Sequence, residues 1–370
     1  MMRAVTVAVV AEPDGEFVLG TAELEEPRGH EVLVRVVAVG VCHTDLVART
    51  GNYLIPLPAV LGHEGSGIVE AVGEQVTKVA PGDHVVMTFN SCGRCTNCRT
   101  GRDPYCQSLP ALNVTGGRPD GTRALSRDGA PLHGHFFGQS SFGTYALASE
   151  RNVVAVPADL PLELLGPLGC GIQTGAGAIL NSLRSQPGDA VAVFGAGSVG
   201  LSAVMAARLA GCDPIVAVDL QAGRRELAKE LGATHTLDGA STDIAGELWS
   251  ITFTGLDGAV DFTSNQSAIN AALYGLHPRG TLLLGGSAPL GTQLQIDMSA
   301  VHLGRTMRGV IEGDSVPDLF IPQLLQHYRA GRFPFDRLIT RFPFDQINAA
   351  VEAMHDGDVV KPVLVMPETT

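Results

Sequence analysis

A glycine-rich turn joins an apolar run to a helical stretch near the middle of the chain, and few folds accommodate this arrangement. The run AVAVF at 190–194 predicts a buried strand that leads directly into the motif GAGSVG. The motif residues assigned to a cofactor site are Gly195, Gly197, Ser198, Val199 and Gly200. The three glycines permit a tight turn, close approach of the backbone to a pyrophosphate, and close packing of helix on strand. The N-terminus of the following helix attracts the anion, so the segment predicts a dinucleotide-binding turn.

The next predicted strand ends at an acidic residue that suits a dinucleotide. Asp219 lies nineteen residues after Gly200, where a carboxylate can hold both hydroxyls of the adenosine ribose. Its charge opposes a 2′-phosphate and therefore favours NAD over NADP, although Arg224 and Arg225 follow closely. The alternative is that Asp219 only caps the helix that begins near Gly223.

The pattern around this turn predicts an α/β chain of two domains. From 173 to 310, continuous apolar runs alternate with amphipathic helices, which predicts a doubly wound Rossmann domain with a parallel sheet. Residues 1–172 show short β-type runs broken by glycine and proline and predict a β-rich domain, with a long surface loop at 112–133. The tail, 311–370, carries a helix in INAAVEAMHDG and a strand in KPVLVM and is expected to pack on the first domain.

Composition narrows the function classes. The 370 residues carry a net charge of −13 and no long Lys/Arg run, so nucleic acid is not an expected partner and a small-molecule substrate is. No stretch approaches the roughly 18 apolar residues of a membrane span, and the N-terminus does not match a secretory signal. We therefore expect a cytoplasmic protein with no membrane partner.

Four of the seven cysteines lie close together in the sequence. They are Cys92, Cys95, Cys98 and Cys106. Four thiolates with no intervening histidine or carboxylate can close a tetrahedral shell around zinc, which predicts a structural site. The same ligands would also suit an iron–sulfur cluster, and four reduced, unliganded cysteines are the remaining alternative.

A second set of candidate ligands is dispersed along the chain. Cys42 occurs in GVCHTDL, His63 and Glu64 in LGHEGSG, and Cys170 in PLGCGIQTG. Two thiolates and an imidazole leave a fourth zinc position open, as a Lewis-acid catalyst requires. The residues alone also allow ordinary buried cysteines and a structural His–Glu pair.

Taken together, these motifs resemble the zinc-containing medium-chain alcohol dehydrogenases over essentially the whole chain. GHEGSGIVEAVG resembles the family's zinc signature, with Gly67 and Gly73 at the expected offsets, and GAGSVG and GCGIQTG occur in the family order. The resemblance implies a GroES-like catalytic domain at 1–172 and 311–370, a Rossmann domain at 173–310, NAD, and one catalytic and one structural zinc. It also implies a homodimer or homotetramer.

The resemblance assigns roles at the catalytic zinc. Cys42, His63 and Cys170 are its implied ligands, and Glu64 is an acid that transiently replaces water. Asp45 resembles the carboxylate that orients the histidine ligand, and Thr44 resembles the hydroxyl that accepts the alcohol proton. Val47 departs from the family pattern, because many members have a histidine there that passes the proton to solvent. The proton is then expected to leave through the cofactor ribose and water.

The resemblance also assigns cofactor contacts. His43 and Lys361 are placed at the pyrophosphate, Thr174 near the nicotinamide, and Arg224 near the adenosine ribose. For His43, Lys361 and Arg224 the alternative is a solvated side chain with no such contact.

The segment HGHFFGQSSFGTYALASERN resembles the benzyl or aryl-alcohol dehydrogenase branch. Phe136 and Phe137 are then expected to line the pocket, which favours a primary aromatic or allylic alcohol that is oxidised to the aldehyde. The same region resembles the glutathione-dependent formaldehyde dehydrogenases, which are one alternative. A non-catalytic protein that binds zinc and a dinucleotide is the other.

Overall fold

The contacts divide the chain into two compact units, seen in a computed structural model that describes residues 2–51, 55–289 and 291–367. The first unit contains the chain up to Cys170, Val316–Pro322 and the residues from Asp336 on, and the second contains Gly171–Ser315 and Gln323–Phe335. The predicted domain bounds, 1–172 with 311–370 and 173–310, stay a prediction that limited proteolysis would test. Their extreme ends, residue 1 and residues 368–370, lie outside the described residues.

Strands and helices are numbered in chain order. The strands are β1 (Met2–Val10), β2 (Phe17–Glu25), β3 (Glu31–Gly40), β4 (Ala59–Val60), β5 (Glu64–Val72), β6 (His84–Met87), β7 (Leu125–Arg127), β8 (Ala130–Leu132), β9 (Tyr145–Ser149), β10 (Val153–Ala155), β11 (Val191–Phe194), β12 (Ile215–Asp219), β13 (His235–Asp238), β14 (Leu256–Asp261), β15 (Leu276–Leu284), β16 (Thr306–Gly309), β17 (Ile339–Pro343) and β18 (Lys361–Val365). The α-helices are α1 (His43–Arg49), α2 (Thr96–Arg99), α3 (Leu109–Asn113), α4 (Leu162–Leu165), α5 (Gly171–Gly177), α6 (Ser198–Ala210), α7 (Ala222–Leu231), α8 (Ile244–Thr252), α9 (Gln266–Gly275), α10 (Met298–His302), α11 (Pro317–Arg329) and α12 (Ile347–Asp356). Short 3-10 segments lie at Asp103–Tyr105, Phe136–Gly138, Glu150–Asn152, Gly166–Gly169, Glu312–Asp314, Phe335–Leu338 and Phe344–Gln346, and Ala178–Leu183 forms a π-helix. None of the helices in the described ranges has the length and apolar character that a membrane crossing needs.

The second unit is built on a six-stranded parallel sheet. Its strand order is β13-β12-β11-β14-β15-β16, which is the 3-2-1-4-5-6 order of the Rossmann fold. The strand β11 lies in the interior of the sheet, and all four of its residues are fully buried, as expected for a strand covered on both faces. The doubly wound domain predicted from the alternating pattern is confirmed.

Two sheets made mostly of antiparallel strands form the first unit. One has the order β4-β1-β2-β7-β8, and the other runs β10-β6-β5-β3-β18-β17, with β9 also paired to β3. Apolar side chains of both sheets pack into one core that includes Phe136 and Phe142, both fully buried. The helix and strand predicted in the tail are confirmed as α12 and β18, and β18 joins the second sheet beside β3.

The segment 112–133 is more ordered than the surface loop that we predicted. It contains the end of α3 and the hairpin of β7 and β8, and β7 pairs with β2. Arg118 is only 4% exposed and makes ion pairs of 2.5 Å with both Glu25 and Glu31. The prediction was wrong here because polar composition does not reveal a buried arginine that finds distant carboxylates.

Candidate metal and dinucleotide sites

Asp45 organises the start of the dispersed cluster. It lies in the first turn of α1, and its Oδ2 accepts the backbone N–H of Cys42 at 3.0 Å. Its Oδ1 accepts the N–H of Gly62 at 3.1 Å and lies 2.9 Å from Nδ1 of His63. Because Nδ1 of the imidazole donates to this carboxylate, Nε2 is the nitrogen left to act as a ligand.

The structure brings the four dispersed residues together. One ligand atom from each of Cys42, His63, Glu64 and Cys170 lies within 4.8 Å of the others, and Cys170 immediately precedes α5. Nε2 of His63 is buried and has no hydrogen-bond partner among the described residues, although a buried polar atom normally has one. Two sulfurs and this imidazole nitrogen are the donor set that zinc prefers, so the cluster fits the ion.

The surroundings of the cluster favour the metal-binding form of Cys42 but the protonated form of His63. The hydrogen bond with Cys170 holds the pKa of the Cys42 thiol well below its ordinary value, against the opposing effect of burial and with help from the charge of Lys361. Burial would lower the pKa of His63, but the Asp45 carboxylate raises it well above the usual range. A cation that binds Nε2 therefore competes with a proton there, while the surroundings of Cys42 favour the thiolate form that binds a metal.

Lys361 forms a buried ion pair with Glu64. Its Nζ lies 3.0 and 2.9 Å from the two carboxylate oxygens of Glu64 and donates to the carbonyl oxygen of Val41 at 3.1 Å. Burial works to lower the pKa of Lys361, but the Glu64 carboxylate raises it above the ordinary value, while burial raises the pKa of Glu64 itself. With Lys361 only 2% exposed, these contacts give no support to the predicted contact of its amino group with a pyrophosphate.

Phe136 and Phe137, which lie next to the dispersed cluster, differ in their exposure. The Phe137 ring stacks on the His63 ring with centroids 4.6 Å apart, and Phe136 meets the same ring edge-on at 5.5 Å. Phe136 is fully buried in the core, whereas Phe137 is partly exposed. Of the two residues expected to line a pocket, only Phe137 therefore has surface to offer a substrate.

The four clustered cysteines also lie together. One sulfur from each of Cys92, Cys95, Cys98 and Cys106 falls within 4.8 Å of the others, and all four are free of disulfides. Backbone amides of Cys98 and Gln107 lower the pKa of Cys95 to about 6, while burial and then the neighbouring Cys95 raise the pKa of Cys98 to about 12. Four sulfurs this close can all be thiolates only if a cation neutralises them, and this closed set fits zinc.

The GAGSVG turn has the geometry that a dinucleotide requires. Gly195 has φ +90°, and a methyl group added at Gly200 would lie 1.8 Å from the carbonyl oxygen of Gly195. A methyl group at Gly197 would meet nothing within 4 Å, so the space beside this residue is open. Ser198 and Val199 form the first turn of α6, whose N-terminus faces the turn.

Asp219 and its basic neighbours lie beside the turn. The Asp219 carboxylate accepts the N–H of Ala196 at 2.7 Å, which brings it to the glycine motif. Gln221, not Asp219, is the N-cap of α7, so the simple capping role is wrong. Arg224 approaches the carbonyl oxygen of Ala196 at 3.5 Å, whereas Arg225 donates to the carbonyl oxygen of Asp219 at 2.8 Å.

The remaining predicted residues are placed as follows. Thr44 Oγ1 lies 3.7 Å from the Cys42 sulfur, so the hydroxyl is next to the dispersed cluster. His43 is exposed on α1. Thr174 lies in α5, where its hydroxyl meets the Glu312 carboxylate at 3.4 Å.

Sequence reasoning missed Gln139, which holds the backbone around His63. Its Nε2 donates to the carbonyl oxygen of His63 at 2.9 Å, and its Oε1 accepts the N–H of Gly65 at 3.2 Å. No motif or spacing marks this glutamine, because its partners lie more than fifty positions away.

Comparison with known proteins adds independent findings. The alcohol dehydrogenase GroES-like domain matches residues 28–158, and the zinc-binding dehydrogenase domain matches residues 198–327. A geraniol dehydrogenase of Castellaniella defragrans is 49% identical over 97% of this chain and 96% of its own length. The crystal structure of an alcohol dehydrogenase zinc-binding domain protein from Burkholderia ambifaria has a TM-score of 0.97 at 50% identity, with 100% of both chains covered. Benzyl alcohol dehydrogenase from Acinetobacter calcoaceticus has a TM-score of 0.96 at 43% identity and covers 99% of this chain and 100% of its own.

A Rossmann sheet, an open cluster of two sulfurs and one imidazole, and a closed four-sulfur cluster define a zinc-dependent dehydrogenase. The chain belongs to the zinc-containing medium-chain alcohol dehydrogenases and is an alcohol dehydrogenase. The family predicted from the motifs is confirmed.

Proposed function

We propose that the enzyme oxidises primary aromatic or allylic alcohols to aldehydes with NAD, at a zinc ion held by Cys42, His63 and Cys170. The observation that carries the proposal is the buried Nε2 of His63, which lacks a hydrogen-bond partner among the described residues and lies beside two cysteine sulfurs. When bound, zinc supplies Lewis-acid chemistry that lowers the pKa of the alcohol hydroxyl, and NAD supplies the hydride acceptor.

The protein side chains handle positioning and the proton. Thr44 accepts the proton of the substrate hydroxyl while its own hydroxyl proton passes to the cofactor ribose and water, which is consistent with its place 3.7 Å from the Cys42 sulfur. Asp45 fixes the tautomer and orientation of His63 through the 2.9 Å contact with Nδ1. Glu64 would be the carboxylate that exchanges with solvent when a metal is bound, and Lys361 holds it in an ion pair of 2.9 Å.

The substrate class rests on Phe137 and on the relatives. Its ring lies flat against His63 and is partly exposed, so a planar unsaturated group can stack beside the metal ligand. Two relatives are named for the oxidation of geraniol and benzyl alcohol, an allylic and an aromatic primary alcohol. Both alcohols carry the unsaturated carbon next to the reacting carbon, which suits a ring at this position.

The preference for NAD rests on Asp219. Its carboxylate is tied to the Ala196 amide in the glycine turn, where it would repel a 2′-phosphate and accept ribose hydroxyls. Arg224 beside the same turn, together with His43 and Thr174, is proposed to complete the cofactor contacts. The four-sulfur cluster is proposed to hold the structural zinc.

Initial-rate measurements on protein of known zinc content test this function. Benzyl, cinnamyl and geranyl alcohols should be oxidised with higher kcat/KM than short aliphatic alcohols, and with NAD in preference to NADP. Cys42→Ser should lose turnover but still bind NAD, because the cofactor turn lies elsewhere in the chain. Formaldehyde oxidation that depends on glutathione, with no turnover of benzyl alcohol, would overturn the substrate class. A chain that binds NAD but oxidises none of these alcohols would overturn the enzymatic assignment.

The assembly proposed is a homodimer or homotetramer. The edge strand β16 pairs only with β15 among the described strands, and exposed apolar side chains of Met298, Val301 and Leu303 precede it. Open strand edges and apolar patches are common contact surfaces between subunits. Light scattering should give a mass of two or four chains, and Val301→Asp should shift that mass toward the monomer. A monomeric wild type would contradict the proposal.

The compartment proposed is the cytoplasm. The six cysteines of the two clusters must stay reduced to bind metal, and all are free of disulfides. Reducing compartments preserve such thiolates. Recovery of the activity in a periplasmic or secreted fraction would contradict this placement.

A further inference from the structure

Two buried polar side chains join the segments that carry His63 and Cys170. Thr88 follows β6 and is fully buried, and Gln139 follows the Phe136–Gly138 segment and is 2% exposed. Neither belongs to the proposed ligand set. Each bonds to backbone atoms next to a ligand.

Gln139 fixes the His63 segment. Its Nε2 donates to the carbonyl oxygen of His63 at 2.9 Å and to that of Thr88 at 3.2 Å. Its Oε1 accepts the N–H of Gly65 at 3.2 Å, so one amide spans the residues on both sides of Glu64. Both ends of this side chain are therefore committed to one backbone arrangement.

Thr88 fixes the Cys170 segment. Its Oγ1 donates to the carbonyl oxygen of Gly169 at 2.6 Å, one residue before the proposed ligand. The two backbones approach closely here, because a methyl group added at Gly169 would lie 2.0 Å from the carbonyl oxygen of Met87. The short hydroxyl contact thus sets where the chain enters Cys170.

Asn152 hydrogen-bonds to the backbone of Thr88 and to the segment that precedes Gln139. Its Nδ2 donates to the carbonyl oxygen of Thr88 at 3.0 Å, and the backbone N–H of Thr88 donates to the carbonyl oxygen of Asn152 at 2.9 Å. The same Nδ2 reaches the carbonyl oxygen of Phe137 at 3.2 Å. A buried polar group that loses such a partner is costly, so the network strongly favours one geometry.

We propose that Thr88 and Gln139 are positioning residues that set the distance between the zinc ligands His63 and Cys170. This inference rests on the proposed zinc site. The two ligands lie on separate segments of the first unit, and Gln139 and Thr88 bond to the backbone of those segments. Metal sites need their ligands within about 0.5 Å of the working geometry. The path from the His63 carbonyl through Gln139 and Thr88 to the Gly169 carbonyl supplies that constraint.

Thr88→Val tests the inference because valine keeps the shape of threonine and removes only the hydroxyl. Thr88→Ser keeps the hydroxyl and should behave like the wild type. The control is Ser66→Ala, since Ser66 is also fully buried and bonds through Oγ to two carbonyls, of Ala38 and Leu162, that adjoin no proposed ligand. Each protein is measured for zinc content, for the rate of zinc loss to a chelator, for the visible spectrum after cobalt replaces the catalytic zinc, and for melting temperature.

The expected result separates positioning from general stability. Thr88→Val should lose one of the two zinc ions roughly 10-fold faster or more and show a shifted cobalt–thiolate spectrum. Ser66→Ala should lower the melting temperature without changing either readout. If Thr88→Val matches Ser66→Ala in chelation rate and spectrum, the inference is wrong. Gln139→Met gives the same test from the His63 side if Thr88→Val does not fold, with the same expected and contradicting results.

Failure of the proposed function can be distinguished from failure of this inference. A wild type that holds two zinc ions but oxidises no alcohol overturns the substrate proposal, while the chelation and spectral comparison still decides the role of Thr88. A wild type that binds only the four-cysteine zinc overturns the catalytic zinc site and this inference together.

Discussion

Asp45 orients His63, a proposed metal ligand, through a contact with the far side of its ring. It accepts bonds from two backbone amides and lies against Nδ1 of His63, and it is fully buried. One carboxylate thereby links the segment of Cys42 to that of His63. The charge matters as well as the geometry, because a carboxylate raises the basicity of the imidazole that it orients.

Asp45→Asn should therefore weaken the catalytic zinc site while the four-cysteine site stays loaded. Asparagine has the size of aspartate, but its NH2 group cannot accept a hydrogen bond. At least one of the N–H groups that now donate to Asp45 is then left without an acceptor. We expect zinc affinity to fall roughly 10- to 100-fold. Competition with a chelator measures this, and Asp261→Asn, at a buried carboxylate of the second unit, is the control. Equal affinity in wild type and Asp45→Asn would contradict the orienting role.

Cys212 is the cysteine outside both clusters, and its reactivity should depend on pH in a defined way. Burial raises the pKa of this thiol to about 11, and the side chain is 5% exposed. The reactive thiolate is thus scarce at pH 8 and becomes abundant only as the pH rises through about 11. Iodoacetamide should label Cys212 at pH 8 in urea but not in the native protein, as read by peptide mass spectrometry. Rapid native labelling would contradict the burial argument.

Among the structural elements, the turn between β11 and α6 contains two glycines that the fold itself requires. We expect the third glycine to be required only by a bound cofactor. Gly195 has a left-handed φ of +90°, and Gly200 packs against its carbonyl oxygen. Both are required by the chain itself, because a larger residue has no space or no allowed conformation there. Gly197 has φ −76° and open space, so only a bound molecule requires a glycine at that position.

A pair of alanine variants tests this division. Gly200→Ala should destabilise the fold by about 1–3 kcal/mol or more, because its methyl group would lie 1.8 Å from the Gly195 oxygen. Gly197→Ala should melt like the wild type but bind NAD roughly 10- to 100-fold more weakly, since its methyl group fills the open space. Melting curves and NAD titration measure the two effects. Normal NAD affinity in Gly197→Ala would place the pyrophosphate elsewhere.

At the scale of the whole molecule, the two clusters of candidate metal ligands differ in how they are assembled. One is closed by four sulfurs from a span of fifteen residues, and the other gathers its ligands from positions as far apart as 42 and 170. A closed site leaves no position for a substrate and contributes to folding, whereas an incomplete ligand set allows chemistry.

Cys95→Ser should therefore act on stability first. Loss of one thiolate from a closed site weakens metal binding, and the folding free energy supplied by the metal is lost with it. We expect a clearly lower melting temperature and one zinc per chain instead of two. Calorimetry and metal analysis on the same samples check this. An unchanged melting temperature in a protein shown to hold one zinc would contradict the structural role.

A feature could be predicted from the sequence when all of its residues lie in one short segment. The glycine turn and the four-cysteine cluster were predicted with their residues because each acts within one short segment, where spacing alone sets the geometry. The open cluster was predicted as a site only through resemblance to a family. Its candidate ligands meet because separate strands and turns bring them together. The number of residues between them in the sequence does not reveal how close they are in space.

Only the tertiary structure decided the partner of Lys361. Glu64 lies 297 positions away, and the two meet because Gly40 on β3 pairs with both Glu64 on β5 and Val363 on β18. Gly40 also has to be small, since a methyl group there would lie 2.0 Å from a Glu64 oxygen. The sequence by itself determined the class of fold, the glycine turn and the grouping of the four cysteines, because these depend on backbone conformation and neighbouring residues. The register of the sheets decided which buried charges and amides meet, because hydrogen bonds between distant strands form only once the whole domain has packed.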